Sequence, residues 1–147
     1  MPVFVNKVEI SDNEIHEEMQ FHPAPNIAEA RKEASRALII RQLLLDEAVE
    51  HKLLKFEDLQ ALDDKTEENA IEALLEEIIS VPSADKETCK RYYDNHLERF
   101  MDKKTDQILP FNMVQNYIEN YLNDKGHQAA LNAYIDSLMD RANIVGL

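Results

Sequence analysis

Cys89 and His96 are the pair in this sequence that comes nearest to a nucleophile and its base. Seven residues apart, they share a helix face but stand ~10 Å from one another along it. That is beyond hydrogen-bond reach, so no activated thiol is expected. Cys89 reads as a small buried hydrophobe; a lone cysteine forms no internal disulfide and fits a reducing compartment. His16 and His22, with Glu17 and Glu18 between them, lack both the i,i+4 spacing and the third ligand that a zinc site wants. The 29 carboxylates recur at i,i+4 on helix faces, the pattern of a solvated surface rather than an acid–base pair in a cleft. Two glycines build no phosphate-binding loop. No catalytic group, metal or cofactor is expected, and the chain reads as a non-enzyme.

The tyrosines leave more open. Tyr92, Tyr93, Tyr117, Tyr121 and Tyr134 fall at helical spacing, so each either packs in a core or lines a peptide groove. A net charge of −13 argues against nucleic acid or an anionic membrane as the main partner. No apolar run approaches the ~20 residues of a membrane span. The opening MPVFVNKVEI lacks a basic segment followed by an apolar one, which predicts the cytoplasm, or the periplasm if the sequence is a processed form. At 147 residues a single domain, 1–147, is expected.

The elements that would position these groups are mostly helical. Asn26 with Glu29 makes a capping box for a central helix running to Glu50, ~37 Å long. Its apolar or small positions begin at Ile27 and thicken from Leu38 to Leu45 until only Arg41 and Gln42 are polar, so neighbours must cover most of its sides. Before it, Val3–Ile10 suggests a hairpin turning at Asn6-Lys7, although Lys replaces the usual Gly. Ser11 and Glu14 cap a short helix through about Gln20, and His22 to Pro25 forms a stiff break. After it come a helical turn at Phe56–Leu62 and an amphipathic helix capped at Asp63, running to Val81 and stopped by Pro82. Nine acids and one lysine between Glu57 and Glu77 supply −8 of the net charge, as a solvated face or an acidic docking surface. Asp85 caps a further helix with Cys89, Tyr92, Tyr93, Leu97 and Phe100 on its buried side. Met101–Leu109 is a polar connector, and Phe111–Ala142 continues in compatible phase as one long helix bent near Gly126. The last five residues can add a strand to the N-terminal hairpin, which alone is marginal in water. The fold class is mainly α: a helical bundle around a long central helix, with a small hairpin that a C-terminal strand can join.

Taken in order, these stretches resemble the chaperone module of SurA-like and NifM-like parvulin-type peptidyl-prolyl isomerases. VNKVEISDNEIHEEM resembles that family's hairpin and first helix, and EARKEASRALIIRQLLLDEAV its central helix. EENAIEALLEEIISVPSADKETCKRYYDNHLERF resembles the next two, and LPFNMVQNYIENYLNDKGHQAALNAYIDSLMDRANIVGL the segment that follows the isomerase domain. In the family a domain-sized isomerase lies between the last two stretches. Here only Met101–Leu109 joins them; the His-Ile-Leu opening, Gly-Gly loop and later active-site His are absent.

The resemblance implies a chaperone-like module without isomerase activity that holds unfolded or partly folded polypeptide. Such a module needs exposed apolar surface rimmed by charge. Met19, Phe21, Met101, Phe111, Met113 and Met139, with Tyr117 and Tyr121, are the candidate binding residues. The alternative is a dedicated assembly factor for one specific client protein. The tight connector, reaching only ~30 Å when extended, also favours a homodimer with an exchanged C-terminal helix.

Overall fold

Asn6 and Lys7 both sit in the left-handed region, at φ 47° and 73°, which is the turn a two-residue hairpin requires. Lys is strained there, and the turn is braced from outside. The Asn6 N–H donates to the Asn143 carbonyl at 2.8 Å, and the Asn143 N–H returns a bond to Asn6 Oδ1 at 2.8 Å. The hairpin pairs β1 (Val3–Val5) with β2 (Val8–Ile10), Val3 opposite Ile10 and Val5 opposite Val8. A C-terminal strand, β5 (Ile144–Val145), lies antiparallel on the other edge of β1, giving the order β2-β1-β5. Gly146, at φ 91°, carries the chain past Pro2; a Cβ there would meet the Pro2 carbonyl oxygen at 2.6 Å.

The computed structural model describes residues 1–147, and it is mainly α. Four of its helices start where polar side chains accept from the backbone of the first turn. Ser11 caps α1 (Asp12–Glu18) through the Glu14 N–H, and Asn26 caps α2 (Ile27–Glu50) through the Glu29 N–H. Asp63 caps α3 (Asp64–Ile78) through Thr66, and Asp85 caps α4 (Lys86–Asn95) through Thr88. Short 3-10 turns follow α1 at Met19–Phe21, lie between α2 and α3 at Phe56–Ala61, and follow α4 at Leu97–Phe100. α3 stops at Ile78, three residues short of the expected Val81. The residue before Pro82 disfavours helical backbone, and the helix unwinds before reaching it.

The chain divides into two compact units, Met1–Ile78 with Ala133–Leu147, and Ile79–Asn132. In the first, α2 is the central element. Ile39, Leu43 and Leu44 bury against Val3, Val5, Ile10, Ile15, Leu74 and Leu138. Ile27, at the head of α2, is exposed rather than part of that face. The second unit has its own core of Cys89, Tyr93, Phe100, Val114 and Ile118, to which α2 contributes nothing.

The expected polar connector at Met101–Leu109 is a small hairpin, β3 (Met101–Asp102) paired with β4 (Gln107–Ile108). Asp102 Oδ1 accepts from the Lys104 N–H at 2.9 Å, and Asp106 takes the left-handed position at φ 59° that glycine usually fills. From Phe111 a single helix, α5, runs without interruption to Arg141. Gly126 lies within it because the Val81 side chain passes close by; a Cβ would stand 3.0 Å from Val81 Cγ1. No helix is long and apolar enough to cross a membrane.

Candidate functional site

The paired tyrosines of α4 do different things because adjacent helical residues point ~100° apart. Tyr93 is buried. Its hydroxyl donates to the Leu109 carbonyl at 2.6 Å, and its ring stacks on Phe100 and meets Phe111 edge-on. Tyr92 is half-buried and packs against that core from its own side, meeting Phe100 edge-on. His96 stacks on its ring at 4.1 Å, and the Tyr121 ring of α5 lies 5.5 Å away. Arg99, from the turn after α4, donates from Nη1 to the Tyr92 hydroxyl at 2.6 Å. Lys125, one helical turn beyond Tyr121, holds its ammonium 5.3 Å from the Tyr121 ring centre.

Tyr121 and Lys125 end a row. Met113, Tyr117, Tyr121 and Lys125 follow one another at i,i+4 along α5 and share one side of it. Met113 is 69% exposed and Tyr117 66%, whereas Val114 and Ile118, around the helix from them, are buried. The second unit therefore presents an apolar and aromatic ridge leading to a cluster of two phenols and two cations.

The cations of the cluster have no carboxylate beside them, as is also true of Arg91 and of every lysine but Lys90. Four of the six arginines, Arg31, Arg36, Arg41 and Arg141, lie within 4.0 Å of a carboxylate. Arg99 and Lys125 pair with none and turn to phenol oxygens and rings instead. Arg99, then Lys125, pull the Tyr121 phenol below its ordinary value of 10.0, because both cations favour the phenolate. Burial pushes Tyr92 the other way. The same cause raises the Cys89 thiol, and Cys89 is closed in the core while His96 points its Nδ1 at the Tyr92 carbonyl, 2.9 Å away. The two make no nucleophile–base pair.

Of the eight candidate binding residues, Met113, Tyr117 and Tyr121 fall on this ridge. Met101 is 45% exposed on β3, opposite Ile108 of β4. Phe111 is half-buried against the second core and only partly available. Met19 and Met139 pack against the first core, and Arg36 Nη1 lies 3.2 Å from the Met139 sulfur, so neither is a free apolar surface. Phe21 is 69% exposed, but in the first unit, at a cleft of about 690 Å³ walled by Glu9, Glu14, Glu17, Glu18 and Asp64. Sequence reasoning left Tyr92 open between core and groove, and missed Arg99 and Lys125 as members of the site. The signal was the double Tyr, since adjacent helical residues point ~100° apart and only one can be central to the core, with an arginine seven residues beyond the first.

His22 meets Glu18 at 2.7 Å, and no three metal-ligating side chains converge anywhere in the chain. No family model matches this chain, and neither does any curated protein or solved structure.

Proposed function

We propose that the chain is a chaperone-like polypeptide-binding module that works without an isomerase domain. The observation that carries this is the α5 ridge, where Met113 and Tyr117 stand exposed one turn apart. An apolar side chain left in water forgoes ~1.5–3 kcal/mol of burial free energy, which a bound apolar segment recovers. Methionine adapts to varied partners, and tyrosine offers an apolar body with a hydrogen-bonding tip, so the pair suits many sequences rather than one. The order of the hairpin and helices, which resembles the SurA-like chaperone module, supports the same reading.

The test is suppression of aggregation of several unrelated denatured proteins, followed by light scattering. The wild type should suppress, and M113S/Y117S should lose most of the effect while keeping its helical circular dichroism. Failure of the wild type with every client would remove the reading.

A second reading, an assembly factor dedicated to one client protein, draws on the acidic cleft around Phe21. Its carboxylates would favour one basic partner. It predicts no general suppression and no effect of M113S/Y117S on that partner.

A further inference from the structure

We propose that Arg99 and Lys125, with the phenols of Tyr92 and Tyr121, form a carboxylate-binding site selecting Asp or Glu side chains in the polypeptide held by the α5 ridge. This rests on the polypeptide-binding reading above.

Arg99 is already placed for such a ligand. One of its nitrogens is fixed by the Tyr92 hydroxyl at 2.6 Å, and the Tyr92 ring is itself in contact with His96 and Tyr121. A guanidinium has five N–H donors, so the bond to Tyr92 leaves about four for a ligand. Lys125 brings a second cation, 5.3 Å from the Tyr121 ring centre, and a phenol hydroxyl can donate to an incoming oxygen. The chain has 29 acidic groups against 16 basic ones, yet none of those acids lies within 4.0 Å of either cation. A carboxylate brought by a ligand would meet charge-assisted donors held in advance.

The length of the ridge fixes the ligand further. Met113 to Tyr121 is two helical turns, ~12 Å, which an extended peptide covers in about four residues. A fitting segment carries apolar side chains about two and four residues to one side of its acid, set against Tyr117 and Met113. A polyanion is disfavoured, since it would bring many charges against a chain of net charge −13. One carboxylate among apolar residues brings a single charge to a local cationic site.

The probe is a fluorescein-labelled peptide with blocked ends, Leu at two and four positions on each side of a single Glu, and Ser elsewhere. A second peptide carries Gln for Glu. By fluorescence anisotropy the Glu peptide should bind the wild type about tenfold more tightly, the scale of one charged hydrogen bond. R99Q and K125Q should each reduce that ratio, and the double variant should abolish it by weakening the Glu peptide more than the Gln peptide. K125Q, at an exposed helix position, serves if R99Q disturbs Tyr92, and circular dichroism checks both. Equal binding of the two peptides to the wild type overturns the carboxylate site and leaves the polypeptide-binding reading standing. A preference that survives in the double variant also overturns it. Binding of neither peptide overturns the site, and if aggregation of denatured proteins is also unaffected, the broader reading falls with it.

Discussion

The Arg99 guanidinium acts on the Tyr121 phenol in a way that depends on ionisation. The guanidinium is always charged, so it lowers the cost of phenolate at Tyr121 and holds that phenol below its ordinary value of 10.0. A group whose folded value is depressed stabilises the fold above its unfolded value and loses that contribution as pH falls through the folded one. The window here is alkaline, and at neutral pH the phenol contributes no ionisation free energy. R99Q should therefore shift the Tyr121 titration upward, read by ultraviolet difference absorbance, and lower stability at alkaline pH while leaving neutral stability little changed. An unshifted titration would mean that Arg99 does not sit against this phenol. Neither effect was legible from residue types. Arginine and tyrosine are common on helix surfaces, and what joins these is the return of α5 past the end of α4.

Helix starts were the legible part at the level of elements. Ser11, Asn26, Asp63 and Asp85 each precede a helix as expected, and each accepts from the residue three positions on. A cap is a local interaction, so its signal lies within four residues. The Met101–Leu109 hairpin hid because its turn uses Asp102 and Asp106 where glycine is the usual marker. The face of α5 was legible only in phase. Val114 and Ile118 are buried and Tyr117 is not, which depends on how far around the helix its neighbours reach. For α2 the thick apolar stretch was a sound guide, and Leu44 and Leu45 are 7% and 3% exposed. Leu44→Ala or Leu45→Ala should each cost ~2–5 kcal/mol in chemical denaturation, by loss of burial and the cavity left behind. Losses under about 1 kcal/mol in both would place this side of α2 outside the core.

The whole molecule closes its C-terminus onto its own N-terminus. α5 supplies Val114 and Ile118 to one core and Leu138 to the other, and the chain then pairs β5 with β1. An exchanged-helix dimer was expected because nine extended residues seemed too short a link for every return path. That premise changes once Met101–Leu109 is a hairpin. The Leu109 N–H bonds back to the Phe100 carbonyl at 2.8 Å, so the segment brings its two ends together instead of stretching between distant points. A link that is not taut gives no strain for an exchange to relieve, and an exchanged copy would remake the contacts already formed within one chain. Sedimentation at micromolar concentration should accordingly give the mass of a single chain, 17.0 kDa. A mass of two chains that falls to one when Gly/Ser residues are inserted between Lys103 and Asp106 would show instead that the short segment drives α5 across to a partner.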